Sequence, residues 1–197
     1  MRAALVTALL LFAGSATALP PDKARAKLER GEVLVKSETV EGTKLPRTEA
    51  LAVVNAPPER VWAIVSHCEH FKKHLPRTAD SKELRRDGNV VVCRVETELP
   101  FPMKNLVGVT RAVHAVTPGQ KWTRTWELVE GDYEFNRGLW ELTPYEGDSQ
   151  RTLVRYRIHV QPKIAVPQSL VTRSQTRALP DLFEKLRIAS GAKPAED

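Results

Sequence analysis

The chain contains no Gly-x-Ser-x-Gly elbow, no phosphate-binding loop and no Gly-x-Gly-x-x-Gly fingerprint, so common nucleophilic and nucleotide chemistries lack their usual carriers. Beyond residue 13 it also lacks an apolar run of the roughly 20 residues that a membrane-spanning helix needs. Charge of neither sign is collected in a block. Lys and Arg number 30 against 24 Asp and Glu, a net charge of +6, and the bases lie among acids, densest at Lys72, Lys73 and Arg77. No nucleic acid partner is expected from that distribution, while a weak attraction to anionic membrane surfaces fits it. Cysteine is scarce too, with only Cys68 and Cys93. They would close a loop of about 25 residues as a disulfide, worth about 3 kcal/mol if unstrained. Both fall in apolar patterns, so a pair of buried free thiols stands as the alternative.

At the N-terminus, Arg2, the apolar run Ala3 to Ala13 and the small residues Ala16-Thr17-Ala18 read as a secretory signal peptide cleaved before Leu19. Residues 1–18 are thus expected to be removed, and the mature protein to be periplasmic or secreted. The remainder suits one domain with one core. Residues 19–30 read as a leader or short helix, 31–190 as the domain and 191–197 as a disordered tail.

The longest element predicted is a C-terminal helix from Val166 to Ala189. Leu170, Val171, Ala178, Leu179, Leu182, Phe183 and Leu186 form its apolar stripe, Pro167 suits its start, Gly191 its stop, and Pro180 predicts a kink. Upstream, Glu32 to Lys36 and Ala50 to Val54 are strand-like and read as one interrupted first strand. A helix follows from Asn55-Ala56-Pro57-Pro58, then a short turn from Phe71 to Pro76. A hairpin turns at Asp87-Gly88-Asn89, between Lys82–Arg86 and Val90–Leu99, and further strands are expected at Leu106–Val116, Lys121–Val129, Gly138–Leu142 and Arg151–Val160. Their order is α+β: an antiparallel sheet with one apolar face, which only the terminal helix is long enough to cover, so the sheet must wrap that helix.

Several residues carry this pattern in a recognisable form: Ala56-Pro57-Pro58-Glu59-Arg60-Val61-Trp62, Cys68-Glu69-His70-Phe71 with Leu75-Pro76, Gly138-Leu139-Trp140-Glu141-Leu142-Thr143-Pro144, and Leu179-Pro180-Asp181-Leu182-Phe183. In these stretches the chain resembles the START-like (SRPBCC) superfamily, in particular its polyketide cyclase and coenzyme Q-binding (Coq10-type) branch. Cys68 and His74 depart from it, standing where such sequences often carry an aromatic. The resemblance implies a helix-grip fold, with two short helices after the first strand and a curved sheet around the C-terminal helix. It further implies a cavity for a lipid, sterol or hopanoid, quinone or polyketide-like molecule, in a carrier, a sensor or a cyclase.

The candidate cavity residues are Val91 and Val95 on the dry face of one strand, Trp122, Arg124 and Trp126 on another, Trp140, Tyr156 and Ile158 on two more, and Leu179 and Phe183 on the helix. Aromatic walls with one or two polar groups suit a long or flat apolar ligand. Any single aromatic here could equally be filled core, and Arg124 could be a surface arginine if its face is assigned wrongly. Arg124, His114 and Tyr156 are the only groups available to a cyclase-like enzyme, and none is assigned a catalytic role. Glu96 and Glu98 share a face with Arg94 and are expected in solvent. His67, His70 and His74 with Cys68 lack the Glu of a His-Glu-x-x-His site, so no metal or cofactor is expected. A monomeric binding protein is the favoured reading, a cyclase or aromatase the second, and an accessory protein with a filled core the third.

Overall fold

A computed structural model describes residues 22–167, 169–170 and 177–192; the expected signal peptide and all but two residues of the tail lie outside these. Helix α1 (Asp22–Glu29) leads into strands β1 (Leu34–Glu38) and β2 (Arg47–Val54), then α2 (Pro58–Val65), a 3-10 turn (Cys68–His70) and α3 (Phe71–His74). Six strands follow as a meander: β3 (Thr78–Asp87), β4 (Val90–Thr97), β5 (Leu106–Thr117), β6 (Lys121–Gly131), β7 (Tyr133–Tyr145) and β8 (Asp148–Pro162). A helix, here α4 (Leu179–Ala189), closes the described chain. The eight strands form one antiparallel sheet in the order β1-β2-β8-β7-β6-β5-β4-β3.

The expected single first strand is instead two. Gly42, at φ 76°, and the Thr43 amide bond to the Val40 carbonyl reverse the chain between them, so Leu34 faces Leu51 and Glu38 faces Arg47 in a hairpin. Pro180, where a kink is expected, lies in the first turn of α4, and Arg177 and Ala178 just before it form a wide π-type turn. Val166 and Pro167 are not helical, and residues 168 and 171–176 of the expected helix lie outside the described residues.

Strand alternation divides the sheet into a dry and a wet face. Small residues Ala50, Ala52 and Val54 of β2, with Trp122, Trp140, Leu142 and Val154, pack against Val61 and Val65 of α2 and against Leu182, Phe183 and Leu186 of α4. The outer face carries paired charges instead: Glu49 with Arg157 at 2.7 Å, and Glu141 between Lys121 at 2.7 Å and Arg155 at 3.1 Å. Helix α1 docks on the sheet through Leu28, buried with Val53 of β2 and Tyr145 of β7. Arg187 ties α4 to the end of β2, donating to the Val53 carbonyl at 3.0 Å, and to the Gly31 carbonyl at 2.9 Å.

The topology imposes one long crossing. β2 pairs with β8 while β3 is the opposite edge, so residues 55–77 must traverse the concave face. The two prolines start α2, Pro57 as its N-cap and Pro58 in its first turn, while Asn55 lies before the helix and accepts from Arg151 Nε. The crossing is then fastened midway, because Cys68 and Cys93 form a disulfide from the 3-10 turn to β4, buried with Phe71 and Val91. The free-thiol alternative is thereby set aside. Reduction, or the double substitution Cys68→Ser/Cys93→Ser, should lower unfolding stability by about 3 kcal/mol in urea titrations. Unchanged stability would show that helix packing alone holds the crossing.

Candidate ligand cavity

Antiparallel register sets the concave face in rows. His114, Arg124, Trp140, Tyr156 and Ala50 lie side by side across β5, β6, β7, β8 and β2, and Ala112, Trp126, Gly138, Ile158 and Thr48 form the next row. In the second row large alternates with small. Gly138 has no side chain because the Trp126 indole lies across it; a Cβ there would overlap that ring and the Arg157 carbonyl. The indole is held by its Nε1–H donating to Asn136 Oδ1 at 3.0 Å. Trp126 stacks on Tyr156 with centroids 6.1 Å apart, Tyr156 meets Trp140 at 4.3 Å, and Trp140 meets Phe183 of α4 at 6.5 Å.

Between this aromatic row and the helices lies an inner compartment of about 250 Å³, walled by Phe71 and Leu75 of the crossing and Leu179 and Leu182 of α4. An outer compartment of about 220 Å³ adjoins it, sharing Arg77, Thr97, Tyr133, Ile158 and Leu179, with Leu99, Leu106, Val160 and Leu170 as apolar walls. Arg77, at φ 55°, marks the mouth, and its carbonyl accepts the Glu98 amide at 2.9 Å, joining the helical lip to the β4–β5 loop. A hollow of about 720 Å³ also exists on the convex face. It is a stretch of charged sheet surface, where Glu38 and Glu49 already occupy Arg47 and Arg157, so the more apolar concave space is the better candidate.

The sequence-derived residues divide by place. Val95, Arg124, Trp126, Trp140, Tyr156, Ile158 and Leu179 line the inner compartment. Val91, Trp122 and Phe183 do not: Val91 packs around the disulfide and the other two lie in the filled core. Alternation identifies a face but not how far along a strand or helix the packing stops, so all three share a face with true wall residues. Thr97, Thr110, Tyr133 and Asn136 are wall residues that the sequence reading left out. Thr110 alternates with Ala112 and His114 and was legible; Tyr133 and Asn136 were not, because β7 was expected to begin only at Gly138.

Arg124 faces inward, 3% exposed, and has no carboxylate partner among the described residues. Its Nη2 reaches only Cys93 Sγ at 3.5 Å, its Nε is unpartnered, and the guanidinium sits 5.3 Å from the Phe71 ring and 5.5 Å from that of Trp126. Burial pulls its pKa down to about 10, which leaves it charged at neutral pH. Burial likewise pushes the Tyr156 phenol up, against the pull of Arg124, so Tyr156 is a hydrogen-bond donor and not a base. Glu96 is bonded to Arg94 at 3.2 Å, and the rings of His67, His70 and His74 stand 5.8 and 6.1 Å apart in succession. Among the described residues no three metal-ligating side chains converge.

His114 is not on the cavity wall. It is buried edge-on to Trp62 of α2, with ring centroids 5.0 Å apart, and its Nε2 has no partner. Burial first, and Arg124 next, lower its pKa to about 4. Below pH 6.5 the unfolded chain takes up a proton that folded His114 refuses, so stability falls as pH drops towards 4. The expected loss is on the order of 3 kcal/mol. Urea unfolding from pH 7 to pH 4 should show His114→Gln losing about that much less than the parent; equal slopes would place the pH dependence elsewhere.

The fold recurs in solved structures. A STAR-related lipid transfer protein fragment from Xanthomonas axonopodis superposes with a TM-score of 0.70 at 19% identity, over 81% of this chain and 93% of that one. Human StAR-related lipid transfer protein 5 gives 0.70 at 15% identity, over 82% of each chain. The Zhui aromatase/cyclase from a Streptomyces species gives 0.56 at 16%, over 73% and 92% respectively. No curated protein matches the sequence. The family model described as polyketide cyclase / dehydrase and lipid transport matches residues 54–187, from the last residue of β2 to within two residues of the end of α4. The chain therefore belongs to that family, within the START-like superfamily, and has its helix-grip fold.

Proposed function

We propose that the protein binds a hydrophobic small molecule, such as a lipid, a sterol or hopanoid, or a quinone of the kind that the coenzyme Q-binding branch suggests, and carries or senses it. The observation that carries this reading is the pair of adjoining compartments, walled by rings and aliphatic side chains between sheet and α4. A filled-core accessory role accords poorly with that space. A cyclase would use Arg124 and Tyr156, a cation and a phenol able to polarise a carbonyl. Among the described residues no imidazole or carboxylate lines the inner compartment to serve it as a proton acceptor.

Export through the N-terminal signal peptide is part of the proposal, and the Cys68–Cys93 disulfide supports it because such bonds persist in oxidising compartments. A monomer would then pick up its ligand at a membrane surface. Lys72 and Lys73 are exposed on α3, next to the Phe71 and Leu75 wall, and Arg77 is at the mouth. They are well placed to meet anionic headgroups during loading.

Native mass spectrometry of the mature protein, with organic extraction, should reveal a stoichiometric apolar ligand. Ile158→Trp, which fills the wall shared by both compartments, should reduce its occupancy by at least about tenfold while the protein stays folded. Full occupancy in that variant would place the ligand elsewhere. Reversing Lys72, Lys73 and Arg77 to Glu should slow ligand transfer from anionic vesicles but not from neutral ones; equal rates would remove the membrane role.

A further inference from the structure

The inner compartment contains a cation for which the described residues supply no anion. Arg124 projects from β6 to the cavity wall and is 3% exposed, and its one hydrogen bond among the described residues is to Cys93 Sγ, a weak acceptor. Among the described residues no Asp or Glu lines this compartment, and Glu98, at the outer one, is exposed beside the mouth. Apart from Arg77, exposed at the mouth, the remaining polar side chains on the wall are neutral: Thr78, Thr97, Thr110, Tyr133, Asn136 and Tyr156. A buried charge left unpaired is strongly unfavourable, and a neutral apolar occupant would make it more so by excluding water from the guanidinium. An anionic occupant would reverse that effect.

We infer that the ligand is a hydrophobic acid, bound head inward with its anionic oxygens on the Arg124 guanidinium and its apolar body running towards the mouth. The inference rests on the cavity being a ligand site. Tyr156, across the row from Arg124 with Trp140 between them, adds a neutral donor for the second oxygen of the head. The planar guanidinium matches a carboxylate or an acidic enol in two-point fashion. The outer compartment, lined by Leu99, Leu106, Val160 and Leu170, takes the tail. Size agrees with a single chain or a few rings: the inner compartment equals roughly eight waters at about 30 Å³ each. Phe71 and Trp126 hold the guanidinium between their rings, so the head group has a fixed target.

The test compares matched pairs on the delipidated mature protein at neutral pH: hexadecanoic acid against its methyl ester, and 1-anilinonaphthalene-8-sulfonate against N-phenyl-1-naphthylamine. Within at least one pair the acidic member should bind about tenfold or more tighter. Arg124→Gln should abolish that preference while leaving affinity for the neutral member unchanged or improved, and Arg124→Lys should retain part of it. Thermal unfolding of both variants checks the fold, and Arg124→Gln should melt no lower than the parent, because it removes an unpaired buried charge. Equal binding of acidic and neutral members in both pairs would overturn the inference and leave the cavity as a site for neutral ligands. Failure of all four probes to bind would overturn the cavity reading itself.

Discussion

A sheet whose second strand closes on its last, and whose third strand is the far edge, must send the chain across its own concave face. Everything else about the cavity depends on where that crossing is held. The Cys68–Cys93 bond fixes it to β4. Phe71, three residues further on, therefore reaches the wall, Leu75 and Pro76 form one lip, and Arg77 turns the chain into β3 at the mouth. Without that attachment, α3 would rest on a few apolar contacts and two exposed lysines. Closing a loop of this length removes freedom from the unfolded chain more than it adds contacts to the folded one.

The same disulfide also touches the buried arginine of the cavity. Cys93 Sγ lies under Arg124, and Phe71 covers the guanidinium from the helical side. The site thus brings together chain segments that are distant in sequence: the crossing, the β4 strand, the β6–β8 aromatic row and α4. Gly138 supplies the space that lets Trp126 lie flat, and Asn136 fixes the ring's direction. Polar groups here are few and directional, while the apolar area is broad, which suits orientation of a ligand more than covalent chemistry.

Charge is handled in opposite ways on the two faces of the sheet. Outside, Glu49 and Glu141 each sit between cations, and exposed pairs of this kind contribute little stability but keep the broad face wet. Inside, Arg124 has no such neighbour and His114 is kept neutral by burial. A family whose description spans polyketide cyclases, dehydrases and lipid transport can vary its function through a small number of such inward groups without altering the sheet.

Much of the architecture was readable from local pattern. The alternation of Val154, Tyr156 and Ile158, the Asp87-Gly88-Asn89 turn, and the prolines at the head of α2 each express a local backbone or side-chain preference, and neighbouring residues are enough to reveal it. Inward placement of Trp126, Trp140 and Tyr156 follows from the same period of two. Local pattern could not say whether Glu32–Lys36 and Ala50–Val54 were one strand or a hairpin, because both readings satisfy the same alternation and only the pairing of β1 with β2 decides. It could not separate Val91, Trp122 and Phe183, which are filled core, from Val95 and Leu179, which are cavity wall, because that depends on how far α4 and the crossing approach the sheet. It left Cys68 and Cys93 undecided, and Arg124 on either face. The sequence by itself determined the elements and their dry faces, since those are set by residues a few positions apart; the disulfide, the closed row of rings and the unpartnered arginine were decided by tertiary structure, since each needs strands distant in the chain to be brought within a few ångströms.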